Sequence, residues 1–191
     1  MSDPDGTGGT AGTDDAPGAG AAARRLAVTG TPGTGKTSAT AALGGDREVL
    51  HLNEYVREHD LWTERDADRD GSLVVDLEAV RERLGDREGV VESHLAHHLD
   101  ADRVAVLRCR PDVLEERLLD RGEPAATARE NRESEALDVI LGEAVERHGA
   151  DRVYEIETTD RTPAETAAEL DAVAAGERDP SAGGVEFIEY V

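Results

Sequence analysis

Eight consecutive residues, Gly30-Thr31-Pro32-Gly33-Thr34-Gly35-Lys36-Thr37, fit the pattern G-x-x-x-x-G-K-[ST]. A glycine loop of this kind turns several backbone N–H groups toward one point, because side chains that would block an approaching anion are absent. A helix opening at its end adds partial positive charge. In this pattern the lysine bridges the terminal phosphates of a nucleoside triphosphate and the hydroxyl that follows ligates Mg²⁺, here Lys36 and Thr37. Lys36 is the only lysine in the sequence; every other basic residue apart from the histidines is arginine. A planar guanidinium does not replace the compact point charge that this position requires.

The loop says which donor is bound but not what receives the phosphoryl group. A small-molecule kinase, a GTPase switch and an ATPase motor are the routes open to it. A guanine-specific Asn-Lys-x-Asp element is absent, since Lys36 has no companion. Asp68-Arg69-Asp70-Gly71 spells D-x-x-G, but in a polar stretch with no apolar strand before it. A motor would need a longer chain and a ring partner.

Two further constellations suit a kinase. In "PDVLEERLLDRG", Arg117 and Arg121 stand four residues apart, one helical turn, so their guanidinia share a face. Arginines on a mobile lid neutralise a transferring phosphoryl group and exclude water from it. In "GVVESHLAHHL", an apolar strand ends in Glu92, with His94 two residues on. Alternation along a strand would point both the same way. An acid there can hold Mg²⁺ through water and orient the acceptor. His94, His97 and His98 lie close together, but no cysteine or further ligand pattern supports zinc.

These residues need a scaffold, and the chain of 191 residues has the length of one domain with tails. Residues 1–23 are Gly, Ala, Thr and Asp-rich, lack large apolar side chains beyond Met1, and read as a disordered tail. From "RRLAVTG" onward, short apolar strands alternate with helical segments over residues 24–176. The strands are "RRLAVTG", "REVLHL", "REGVVESHL", "ADRVAVLRCR" and "DRVYEIET". The helices include "KTSATAALGG", "NEYVREHDLW" with Asn53 as a cap, "DLEAVRERLGD", "PDVLEERLLDRG", one long helix over "ATARENRESEALDVILGEAVERHG", and "TPAETAAELDAVAAG". "TERDADRDGS" reads as a charged loop, and residues 177–191 as a linker with a strand-like end. Alternation of this kind means an α/β, three-layer P-loop NTPase fold: a five-stranded parallel sheet with helices on both faces.

Forty-three acidic residues against 21 basic ones leave a formal net charge of −22. That balance argues against a surface that coats nucleic acid and leaves room for a basic protein partner. An acidic, lysine-poor surface suits a salt-rich cytoplasm, and a salt-loving source is expected. Cys109 is the sole cysteine, so no intrachain disulfide forms. No apolar run is long enough to span a membrane, and the acidic N-terminus does not resemble a signal peptide. A cytoplasmic location is expected.

Over roughly residues 25–175 the sequence resembles the archaeal and nuclear adenylate kinases of the isoenzyme 6 type. The markers are "TGTPGTGKTS", "NEYVREHDLW", "VVESHLAHHL" and "RLLDRGEPAATARENRESEA", the last matching a short lid followed by an Asn-x-x-x-Glu helix at Asn131 and Glu135. The resemblance implies transfer from Mg²⁺-ATP to AMP, a weaker ATPase activity, and a part in late maturation of the small ribosomal subunit. It implies that Gly33, Gly35, Lys36, Thr37 and Ser38 bind the ATP phosphates, that Arg121 contacts ATP from the lid, and that Arg161 lies at the adenine contact. It places Arg57 on the AMP phosphate, within a monophosphate arm from about His51 to Val74, and Glu92 and His94 in the second nucleotide motif. The implied partner is a basic small-subunit ribosomal protein, universal protein eleven, on the pre-30S particle. The family commonly carries Asp-x-His where this chain has Glu92-Ser93-His94, a longer carboxylate that bears on the balance of kinase to ATPase activity.

Overall fold

Strands whose side chains are buried on both faces need helices on both faces, and the computed structural model has that arrangement. It describes residues 21–45, 47–66 and 72–190. Most of the expected N-terminal tail, residues 1–20, lies outside them, as does the Asp68–Gly71 match.

The elements run β1 (Arg25–Thr29), α1 (Lys36–Ala41), β2 (Val49–His51), α2 (Leu52–Glu58), β3 (Trp62–Asp66), β4 (Ser72–Val75), α3 (Leu77–Leu84), β5 (Gly89–Glu92), β6 (Arg103–Arg108), α4 (Pro111–Asp120), α5 (Ala125–Ala136), α6 (Val139–His148), β7 (Val153–Glu157) and α7 (Pro163–Ala175). The main sheet has five parallel strands in the order β2-β5-β1-β6-β7. Its central strand is β1, and the chain crosses over it between β5 and β6. That crossing is the topological switch point, and the crevice beyond the carboxyl ends of the strands is where such sheets hold ligands.

Alternation along each strand divides the core in two. Ala27, Val91, Val104 and Val106 face Leu52, Val56, Val80 and Ala144, the side covered by α2, α3 and α6. Leu26, Val28, Ala105, Leu107 and Ile156 face Ala39, Leu170 and Val173 of α1 and α7. Each fully buried leucine, isoleucine or valine here contributes about 1.5–3 kcal/mol relative to exposure. A smaller cluster of Cys109, Leu114, Leu118 and Ala128 seats α4 and α5. Burial there pushes the Cys109 thiol up to about 11.

Five local expectations are corrected. The stretch expected as a charged loop, residues 63–72, supplies most of β3 and the first residue of β4, an antiparallel ribbon that pairs Trp62 with Val75 and Arg65 with Leu73. In β3 Thr63, Glu64, Arg65 and Asp66 are polar, so no apolar period marks that strand; backbone bonds and the partly buried Trp62 and Val75 hold the ribbon, with Val74 exposed. The helix before it therefore ends at Glu58, and Asp60 takes a positive φ of 53°. Asn53 is inside α2 rather than capping it, and its Oδ1 accepts from the Ser93 hydroxyl at 3.0 Å.

The single long helix expected over residues 125–148 is two, α5 and α6, because Asp138 turns to φ 54°. That turn sends its carboxylate onto the buried Arg108. The C-terminal end is not a strand but a short 3₁₀ turn, Ile188–Tyr190, preceded by Phe187, which is 5% exposed and lies under Arg108 at 5.3 Å.

Candidate nucleotide site

β1 ends at Thr29, residues 30–35 form the loop, and α1 begins at Lys36. Gly30 has φ 134°, and a Cβ there would meet the Leu107 carbonyl oxygen at 2.3 Å. The loop can thus lie tight against β6 only with glycine. Gly35, at φ 89°, has nothing within 4 Å of such a Cβ, so its backbone faces open space. Lys36 Nζ donates to the carbonyls of Gly30 at 2.8 Å and Thr31 at 3.0 Å. Burial lowers its pKa to about 8, against the charges of Glu92 and Glu135.

Parallel pairing of β5 with β1 and β2 sets Glu92 level with Val28 and His51. Its Oε2 accepts from the Thr37 hydroxyl at 3.4 Å and lies 2.8 Å from His51 Nδ1. β5 ends at Glu92, so strand alternation does not carry on to His94. Both side chains nevertheless lie within electrostatic reach of Lys36. Burial first, then the Lys36 charge, lowers the His94 pKa to about 4, so the imidazole is neutral near pH 7.

Two cavities flank this centre. One, of about 260 Å³, is lined by Gly33, Gly35 and Ser38 from the loop region and by Arg117, Arg121 and Arg161. The second, of about 480 Å³, is lined by Asn53, Arg57, Val74 and His94. Of the residues singled out in sequence, Gly33, Gly35, Ser38, Arg117, Arg121 and Arg161 line the first and Arg57 and His94 the second, while Lys36, Thr37 and Glu92 line neither. Arg121, the residue closing α4, is exposed, whereas Arg117 donates to the carbonyls of Thr158 at 3.3 Å and Thr159 at 3.0 Å. Arg117 thus fixes the wall that Arg161 follows. A cavity of about 290 Å³ at the opposite end of the strands, lined by Arg24, Arg25 and Asp102, shares no residue with the loop.

Sequence reasoning missed three contributors. His51 completes the contacts of Glu92. Thr31 donates to Glu135 Oε2 at 2.5 Å, binding the loop to α5. Arg108, 1% exposed, donates to Glu135 at 2.8 Å, to Glu155 at 2.5 Å and to Asp138. Burial disfavours its charge, but Glu135 and Asp138 outweigh that and raise its pKa. The one signal was an arginine ending the apolar run "RVAVLR". Among the described residues no helix is long and apolar enough to cross a membrane.

A parallel sheet with a glycine loop leaving its central strand, a lysine held in that loop and helices on both faces defines a P-loop NTPase fold. Shikimate kinase from Acinetobacter baumannii superposes with a TM-score of 0.56, covering 81% of this chain and 94% of that one at 17% identity. A sulfotransferase from Alicyclobacillus acidocaldarius gives 0.53, covering 86% and 87% at 12% identity. At such identities the likeness shows the fold alone. Residues 26–138 match a family described as an AAA domain. Curated proteins named "Putative adenylate kinase" from Natronomonas pharaonis and Methanosarcina acetivorans are 59% and 43% identical, over 87% and 78% of this chain and 99% and 84% of theirs. The chain belongs to this archaeal adenylate kinase family.

Proposed function

We propose that the protein transfers the terminal phosphoryl group of ATP to AMP. The observation that carries this reading is a pair of cavities, one lined by the glycine loop and three arginines, the other by Arg57 and by His94, which lies within electrostatic reach of Lys36. The first takes the triphosphate, with Gly33, Gly35, Thr37 and Ser38 around the phosphates, Arg121 closing from above, and Arg161 beside the base. The second takes the monophosphate, with Arg57 on its phosphate.

Catalysis on this reading is positioning and charge stabilisation. Lys36 exchanges its two carbonyl partners for phosphate oxygens, and Arg121 neutralises charge on the transferring group. Neutral His94 orients the acceptor without adding charge. The Thr37 hydroxyl and the Glu92 carboxylate, 3.4 Å apart, are hard oxygen donors that suit Mg²⁺, directly for Thr37 and through water for Glu92. Bound there with ATP, Mg²⁺ neutralises charge on the phosphate oxygens.

Glu92 also supports a second reading, ATP hydrolysis coupled to late assembly of the 30S subunit. Its carboxylate, backed by His51 at 2.8 Å, is placed to orient water as well as a metal. A net charge of −22 suits a basic ribosomal protein, universal protein eleven on the pre-30S particle, as partner.

Nucleotide chromatography after incubation with ATP and Mg²⁺ in concentrated KCl, with and without AMP, tests both. ADP formed only with AMP, and lost in Lys36→Ala, supports the kinase. Phosphate released without AMP favours the hydrolase, and no turnover of either kind overturns both.

A further inference from the structure

The turn after His94 brings together residues that the nucleotide site does not use. His97 and His98 lie on the 3₁₀ turn Ala96–His98, their ring centroids 4.1 Å apart. From α6, Glu143 Oε2 lies 2.9 Å from His97 Nε2 and 3.9 Å from His98 Nε2. One donor atom from each of these residues falls within 4.8 Å of the others. Around a tetrahedral zinc ion, nitrogen and oxygen donors stand on the order of 3.3 Å apart, which these atoms reach by small side-chain rotations.

The surroundings hold the donors in place. His97 is 1% exposed, and its other ring nitrogen, Nδ1, lies 2.9 Å from the Thr29 hydroxyl. Thr29 Oγ1 also reaches the His94 carbonyl at 3.3 Å. A carboxylate only accepts, so without a metal His97 Nε2–H donates to Glu143 and Nδ1 accepts from the Thr29 hydroxyl. A metal that takes the place of the Nε2 proton moves it to Nδ1. The hydroxyl, turned to the His94 carbonyl, then accepts Nδ1–H as the outer partner that fixes a metal-binding tautomer. His148 Nε2 donates to the His97 carbonyl at 2.7 Å, and Arg81 donates to the His98 carbonyl at 2.9 Å. The nearby cations are engaged elsewhere, Arg81 on that carbonyl and Arg147 with Asp100 at 3.4 Å.

We propose that His97, His98 and Glu143 bind one zinc-class divalent cation, with the fourth position left to water. Two imidazoles and a carboxylate suit Zn²⁺ over Mg²⁺, which prefers oxygen donors only. The sequence held the histidines but not the third ligand, because Glu143 arrives from a helix 45 residues beyond His98. The ion would fasten that turn to α6, independently of the reaction proposed above.

The test is calorimetric titration of the metal-stripped full chain with Zn²⁺, free of nucleotide and in excess Mg²⁺ to fill oxygen-only sites. Wild type is compared with His98→Gln and Glu143→Gln. His98→Gln leaves the His97–Glu143 contact intact, and Glu143→Gln keeps an acceptor for His97, so both should fold. The expected result is one Zn²⁺ per chain, raising the melting temperature of the wild type, with affinity falling about tenfold or more in each variant. Equal binding in all three proteins, or no stoichiometric binding by wild type, overturns the proposal.

Discussion

Thr31 in the glycine loop donates its hydroxyl to Glu135 of α5 at 2.5 Å, and the same carboxylate accepts from Arg108 and from the Cys109 amide. One side chain thus joins the phosphate loop, the end of β6 and the helix after the α4–α5 turn. Glu135→Gln should destabilise the fold by about 3 kcal/mol, because Arg108 stays buried with less compensating charge. Denaturant unfolding in KCl measures this, and a loss near zero would show that Glu155 and Asp138 suffice.

Lys36→Arg keeps the charge but not the compact head that fits between the Gly30 and Thr31 carbonyls. Turnover should fall by about 10²–10³, close to the loss in Lys36→Ala. Activity near wild type would mean that charge alone is needed. Steady-state kinetics on both variants decides the matter.

Lys36 also sets a pH dependence. With a pKa of about 8 in the nucleotide-free fold, the ammonium is increasingly neutral above that pH, while phosphate binding favours the charged form. ATP affinity should weaken above pH 8, and binding at pH 8–9 should take up a proton. Calorimetry in buffers of different ionisation heat reads that uptake, and no uptake contradicts the lowered value. The stability sign is opposite. The unfolded lysine keeps its proton to 10.5, so between 8 and 10.5 the unfolded chain binds more protons and stability from this group rises with pH.

Glu92 receives both His51 and Thr37. Glu92→Gln should lower turnover more than it raises KM for ATP, since the carboxylate acts on metal and water rather than on the base. His51→Ala should give a weaker version of the same pattern. A change confined to KM would place Glu92 in uniform binding instead.

Phe187 covers the Arg108 guanidinium, and Glu155 accepts from the Gly184 amide at 2.6 Å. Phe187→Ala should cost about 3 kcal/mol through the lost ring volume. Truncation before Gly183 should lower the melting temperature further. Unchanged melting in both would mean that the tail leaves the domain in solution.

The glycine loop, the lone lysine, the strand–helix alternation and the arginine pair of α4 were legible because each is a local pattern. Spacing along a few residues is enough to specify a phosphate cradle, a buried strand or a helix face. β3 escaped because Thr63, Glu64, Arg65 and Asp66 offer no apolar period to read. The break at Asp138 escaped because its cause, Arg108, lies 30 residues away. Thr31 and Glu135 are 104 residues apart, and His51 meets Glu92 across 41. The sequence by itself determined the class of fold and the anion-binding loop. Only the tertiary structure decided which carboxylate meets which base, because those meetings follow from strand order and helix packing, and no local spacing encodes them.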